Sequence, residues 1–280
     1  MMNNFKKLKM KKLKHISLLL IAILLASCEE VINVDLPTAE PKLVIEASID
    51  WQLETAGNEQ TILLSTSTGY YNPTVPKVSG ATVFVTNTDT NVVYDFIENP
   101  GTGAYVCTTF EPVVNDHYKL TINYNGETFT ATETMTPVVP IDKIEQKEGA
   151  FGEDTVEVDV FYTDNGATDD FYMFKFKPSF TAVPLYGITD DEFYQGNQFS
   201  VIFLNEDTRS GDTLDITIYG TSEQFSNYMS LLLDVSGGGG PFSTAPAKVK
   251  GNIINTTNPE NTAFGYFRLS QTDTVNYVVE

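Results

Sequence analysis

The chain has 280 residues, with 17 Lys and Arg against 37 Asp and Glu, two His, two Cys and a formal net charge of −20. An acidic excess of this size is repelled by phosphate backbones and anionic headgroups, which argues against nucleic acid as a partner. Two cysteines exclude a disulfide-stapled scaffold, and two histidines exclude a clustered-histidine metal site.

The first fifteen residues hold Lys6, Lys7, Lys9, Lys11, Lys12, Lys14 and His15 and no acid, and Ile16 to Ala26 is apolar apart from Ser17. This is the pattern of a secretory signal peptide. Eleven residues rise roughly 16 Å as a helix, against a hydrocarbon core of about 30 Å, too short for an ordinary membrane span. The run ends Leu25-Ala26-Ser27-Cys28, which resembles the bacterial lipobox. The resemblance implies cleavage before Cys28 and acylation of its sulfur and amine, and two or more acyl chains anchor a protein stably. Glu29 and Glu30 then resemble the acidic signal that sends Bacteroidota lipoproteins to the cell surface. Without residues 1–27 the chain keeps 11 basic residues against all 37 acids, a formal charge of −26.

Residues 28–40 read as a polar tether. From Pro41 to Pro137 the chain reads as one β-domain. Lys42 to Ile49 is its first strand, Gly80 to Thr86 and Val92 to Ile97 flank a polar turn, and Gly103 to Phe110 and Tyr118 to Tyr124 follow. Asn125-Gly126 between alternating runs is a strong hairpin signal. Gly80-Ala81-Thr82-Val83, Gly103-Ala104-Tyr105 and Tyr118 to Ile122 resemble transthyretin-like and carboxypeptidase-regulatory β-sandwiches, which implies a fold of immunoglobulin or transthyretin type and no activity.

Thr136 to Ile144 is a proline-marked boundary, and 138–280 reads as a second β-rich domain. Period-two alternation places Val156, Val158, Val160 and Tyr162 on one face. The same holds for Tyr172, Phe174 and Phe176, for Phe199, Val201 and Phe203, and for Leu214, Ile216 and Ile218. One helix is expected near 221–235. Thr221 would be its N-cap with Gln224 completing a capping box, and Phe225, Tyr228, Met229 and Leu232 would form a stripe packed on the second sheet. Gly237 to Gly240 would end it. The fold class expected is mainly β: two β-sandwich-like domains, the second with one packed α-helix.

Chemistry-bearing patterns are few. Cys28 is consumed by lipid, so Cys107 is left without a disulfide partner and reads as a small buried hydrophobe. His117 is the one histidine of the lipidated chain, and a Cys107–His117 nucleophile is not expected. There is no Gly-x-Ser-x-Gly elbow, and the glycine run lacks the Lys-Ser/Thr of a phosphate loop. Carboxylate pairs occur at Asp169-Asp170, Asp190-Asp191-Glu192 and Glu206-Asp207, but with 37 acids some pair always fits a glycosidase spacing. Asp164 to Asp170 (DNGATDD) offers oxygen ligands for calcium but lacks EF-hand spacing, and reads as a solvated turn. No cofactor and no metal are expected. Trp51, Tyr70, Tyr71, Tyr186, Phe193 and Tyr194 lie in turn-like sequence and, with Gly237 to Gly240, are the candidate contacts to a glycan, peptide or protein partner.

The chain from Cys28 on resembles a Bacteroidota outer-membrane lipoprotein family catalogued as domain of unknown function 4249. Cys28-Glu29-Glu30, Pro41 to Glu46, Val139 to Asp142, Lys250 to Ile253, Asn258 to Asn261 and Gly265-Tyr266-Phe267 carry the resemblance, and Gly237 to Gly240 departs from it. The resemblance implies an accessory role beside TonB-dependent outer-membrane receptors. The function expected is a lipid-anchored, surface-exposed, non-enzymatic accessory or binding protein of such an uptake system. A free-standing glycan-binding or adhesive lipoprotein is the alternative, and a surface hydrolase with paired carboxylates is a third reading.

Overall fold

A computed structural model describes residues 40–69, 72–149, 156–237 and 249–280. The cleavage site, Cys28, Tyr70, Tyr71 and Gly240 lie outside the described residues. Seven strands come first: β1 (Leu43–Gln52), β2 (Gln60–Thr66), β3 (Thr82–Asn87), β4 (Val92–Asn99), β5 (Ala104–Cys107), β6 (His117–Tyr124) and β7 (Glu127–Thr136). Their alternation is the one the sequence carries. Ile45, Ala47 and Ile49 of β1, Val83 and Val85 of β3, and Tyr118, Leu120 and Ile122 of β6 are buried together. Asn125 and Gly126 both take positive φ (49° and 78°), as a two-residue hairpin between β6 and β7 requires.

Six strands follow: β8 (Ile141–Glu148), β9 (Val156–Thr163), β10 (Phe171–Pro178), β11 (Leu185–Asp190), β12 (Gln198–Leu204) and β13 (Thr213–Thr221). Helix α1 (Glu223–Ser236), the short β14 (Ile254–Asn255) and the long β15 (Phe264–Val278) complete the chain. Among the described residues the molecule is mainly β with one helix. Strands β8, β9 and β12 form a small sheet whose inner face packs Val158, Val160, Tyr162 and Phe203 against Tyr172, Phe174, Phe176, Leu214, Ile216 and Ile218. The alternation places all of these inward; of the others it puts on the same faces, Val156 and Val201 are half-buried and Phe199 is 39% exposed.

Two hydrophobic cores form, but the boundary expected at Pro137 divides neither them nor the backbone hydrogen bonding cleanly: the first core takes Ile253, Phe267 and Leu269 from beyond it, and residues Pro41–Glu280 make one compact unit. The large sheet runs β11-β10-β13-β15-β1-β2-β5-β4-β3-β6-β7-β14, with β15 also paired to β7. Strand β15 therefore belongs to both halves. Its first nine residues pair in parallel with β1, from Val44↔Phe264 to Gln52↔Thr272, and the stretch Thr272 to Val278 pairs with β13. Since β15 touches β1 on one side and β7 on the other, strands β1 to β7 with β15 close into a ring of eight around the first core. Phe267 and Leu269 point into that core and are fully buried.

A seam remains where β15 and β7 splay apart, because they pair only at Leu269↔Met135 and Ser270↔Thr136. The segment before β14 fills it. Asn252 accepts from the Phe267 N–H (2.9 Å) and donates to the Phe267 carbonyl (2.8 Å), so one side chain replaces a missing strand. Gly251 lies against the Gly265 carbonyl, where a Cβ would come within 1.7 Å of the oxygen. Asn255, Asn258 and Asn261 then clamp the Glu127 carboxylate at 3.1, 3.1 and 2.6 Å. These bonds, Asn258 first, hold the Glu127 carboxyl below the usual range.

Helix α1 starts one residue later than expected. Ser222, not Thr221, is the N-cap and accepts from the Phe225 N–H, so Gln224 is no longer at the capping-box position. Phe225, Tyr228 and Met229 pack against Met173, Tyr219 and Tyr266 on the outer face of the large sheet. Leu232, the fourth residue of the expected stripe, is 37% exposed and does not join this cluster. Buried Arg268 fixes the helix base: its guanidinium lies over the Tyr219 and Phe225 rings (4.8 and 5.2 Å) and reaches Asp50 at 2.8 Å.

Candidate functional site

Two turns meet at one end of the second core. The first, Asp164–Asp170, joins β9 to β10, and the second, Asp191–Asn197, joins β11 to β12. Each carries the chain from one sheet to the other. They touch backbone to backbone at Gly166 and Gly196, where a Cβ on Gly166 would stand 2.8 Å from the Gly196 Cα. Glycine is needed at this approach. Five hydrogen bonds tie the turns: Gly196 N–H to Asp164 Oδ2 (2.8 Å), Asp170 N–H to Asp191 Oδ2 (2.9 Å), Asp164 N–H to the Asn197 carbonyl (3.2 Å), and the Gln195 amide to the Thr168 carbonyl and to Asp169 Oδ1 (3.1 Å each).

The Asp164–Asp170 turn is solvated in its middle, as expected from its composition, but not at its base. Residues 165–169 are exposed, but Asp164 and Asp191 are each 4% exposed. One carboxylate oxygen from each of Asp164, Asp170 and Asp191 lies within 4.8 Å of the others. Burial pushes the Asp170 carboxyl up, the Asp164 and Asp191 charges push the same way, and the Thr168 hydroxyl opposes them. Hard oxygen donors at this separation are the ligand type that calcium takes, and the three aspartates are the residues that could hold such an ion. Spacing along the chain hides the group, since Asp191 sits 21 residues beyond Asp170.

The second turn also holds two of the aromatic residues singled out from sequence, and they do different things. Phe193 is 87% exposed. Tyr194 folds inward: its ring stacks on Phe199 (centroids 4.0 Å apart, planes 3° apart), and its hydroxyl meets Thr189 and the Tyr162 hydroxyl. The other candidates do not join them. Trp51 packs against the first core and donates its indole N–H to the Thr55 carbonyl at 2.9 Å. Tyr186 lies on the β11 edge, 36% exposed, near Arg268 and Asp50. Gly237 closes α1, its N–H bonded to the Leu233 carbonyl at 2.9 Å.

Cys107 and His117 are not brought together as a reactive pair. Cys107 is free and buried in the first core, whereas the His117 side chain is 64% exposed and faces Asp89 at 3.1 Å. The His117 backbone N–H and then its ring hold the Asp89 carboxyl below its ordinary value. A shallow depression of about 360 Å³ runs beside them, lined by Thr88, His117, Tyr118, Thr132, Glu133 and Thr134. The Glu133 carboxylate is engaged by the Ser222 hydroxyl (3.1 Å) and the Tyr266 hydroxyl (3.2 Å), and burial pushes it up. Its position ties β7 to the N-cap of α1.

Among solved structures, the chain is similar to a two fibronectin type-III domain segment from chicken tenascin, at 13% identity over 64% of this chain and 90% of that one, with a TM-score of 0.22. A cytokine receptor complex gives 9% identity, the same two coverages and a TM-score of 0.27. The FN1-FN3 domains of chicken CNTN1 give 11%, 64% of this chain, 63% of that one and 0.26. None of the curated proteins matches the chain. The family described as Domain of unknown function (DUF4249) matches residues 29–275, a stretch that spans both cores, the paired turns and the Asn252 seam, and the chain belongs to that family.

Proposed function

We propose that the chain is a non-enzymatic binding protein, tethered to the outer membrane through acyl chains on Cys28. On this reading it serves a TonB-dependent uptake system as an accessory subunit, facing the cell exterior. It touches its partner through the turn that bears Phe193. The observation that carries the reading is Phe193 itself, 87% exposed in a turn whose base is fixed. Single exposed apolar residues are common on protein surfaces. What sets this one apart is the rigid base under it, the Tyr194–Phe199 stack and the bonds to the Asp164–Asp170 turn. A contact side chain held in this way loses little conformational freedom on binding.

The anchor supports the same reading. Leu25-Ala26-Ser27-Cys28 follows the basic and apolar segments, and the thirteen residues 28–40 reach at most roughly 45 Å when extended. Two proteins held in one membrane within that reach meet at high effective concentration, so a small interface suffices.

The test is gentle detergent extraction of the tagged full-length chain. Wild type is expected to bring down a TonB-dependent receptor, and Phe193→Ala, with its fold intact, at least tenfold less of it. Cys28→Ala should lose labelling by radioactive fatty acid. Undiminished receptor with Phe193→Ala would refute the proposed contact.

A further inference from the structure

Strands β1 to β7 pair in the order β1-β2-β5-β4-β3-β6-β7, which leaves β1 and β7 as free edges of an open seven-stranded sheet. The only strand that joins those edges among the described residues is β15. It lies about 220 residues along the chain from its partner, as the Lys42–Thr262 and Gln52–Thr272 contacts measure. Its docking supplies nine register pairs to β1, two to β7 and two fully buried side chains, Phe267 and Leu269, to the first core. Ile253, from the segment that docks on β15 through Asn252, adds a third buried side chain.

We infer that β15 works as an internal donor strand: the first β-sandwich closes only when the C-terminal segment 251–272 has docked, so the N-terminal half of the fold waits for the end of the chain. Local hairpins form early because short loops close quickly, whereas a pairing across more than 200 residues must meet the full closure entropy before its contacts form. Until then the inward face of β1, with Ile45, Ala47 and Ile49, has an unpaired edge beside it. The second core has no such dependence on its partner half. The residues of its small sheet pair within 141–204, β10, β11 and β13 pair within 171–221, and the free edge of β13 takes Thr272 to Val278, the end of β15, from the same later half. The device therefore reverses the order of synthesis, with the later half able to fold first. For a chain with export features at its N-terminus, such an order keeps the leading half open until the whole chain has crossed the membrane.

The docking carries a local signature. Gly265 has φ of +110°, and a Cβ there would stand 1.9 Å from the Ile45 carbonyl oxygen, so β15 approaches β1 only with glycine at that position. The test is pulsed hydrogen exchange during refolding of the full chain, read by mass spectrometry. The expected result is that β3, β4 and β6 gain protection in the same kinetic phase as residues 264–271 of β15, which dock on β1 and β7, and later than β9 and β10. Phe267→Leu, which keeps an apolar side chain and leaves the chain folded, should slow the first-half phase severalfold and leave the β9–β10 phase unchanged. Protection of β3, β4 and β6 ahead of β15 in wild type would overturn the inference. So would a Phe267→Leu chain whose first half folds at the wild-type rate while its unfolding accelerates.

Discussion

Asn252→Ala tests how the first sandwich is sealed. Phe267 is fully buried, and its N–H and C=O point to the seam because Asn252 takes both, at 2.9 and 2.8 Å. Alanine leaves a buried donor and a buried acceptor without partners. Each orphaned group costs about 1–3 kcal/mol, so the pair should cost about 2–6 kcal/mol, less where water enters the seam. For a chain of this size 1 kcal/mol moves Tm by about 2–4 °C, which gives a loss of roughly 4–24 °C. The assay is thermal unfolding followed by circular dichroism, with Asn252→Asp as the graded control. Aspartate still accepts from the Phe267 N–H but cannot donate to the carbonyl, and places two oxygens face to face, so it should be no milder than losing one bond. A change under about 0.5 kcal/mol for Asn252→Ala would mean that the Phe267 groups have other partners, and the plugged seam would be wrong.

Two further predictions concern charge. The Asp170 carboxyl is raised in the folded state, so the folded chain holds that proton more tightly than the unfolded one. Stability from this group is full below the unfolded pKa and is lost as pH rises through the folded pKa. Asp170→Asn in chelator should therefore raise Tm at neutral pH, with a gain that shrinks in acid; a lower Tm at pH 7 would contradict the placement of the three aspartates. Glu133 obeys the same sign. Glu133→Gln keeps one oxygen for Ser222 and Tyr266 but turns its NH2 toward the Thr134 N–H, so at pH 7 it should cost less than Glu133→Ala, which orphans all three donors and should cost about 1–3 kcal/mol; equal effects would show that the hydroxyl bonds are not what matters.

The inward residues of the strands were legible because period-two alternation needs only the neighbours in sequence: Val158, Val160 and Tyr162 face a core wherever that sheet packs. The hairpin at Asn125-Gly126 was legible for the same local reason. Strand β15 was not. Phe264 to Val278 gives no sign of its partners, because a parallel pairing with β1 across some 220 residues leaves no local mark. The Lys250–Ile253 and Asn258–Asn261 blocks stood out by resemblance, and their physical reason emerges only with the seam: Asn252 holds Phe267, and Asn258 and Asn261 hold Glu127. The candidate site was half legible. DNGATDD and Phe193-Tyr194 each drew notice, but nothing in sequence says that Gly166 meets Gly196 and so makes one site of two turns. Turn-like sequence does not show that a ring is half-buried and engaged, as at Tyr194 and Trp51.

The measurement that bears most directly on the functional reading is site-specific photocrosslinking in the intact outer membrane. A photoreactive residue is placed at position 193, on the exposed turn, and for comparison at position 97, where Ile97 is 70% exposed on the first sandwich. The predicted result is an adduct with a TonB-dependent receptor from position 193 and none from position 97. Adducts from position 97 alone, or none from either position while the chain is anchored and folded, would contradict a partner held by the Phe193 turn.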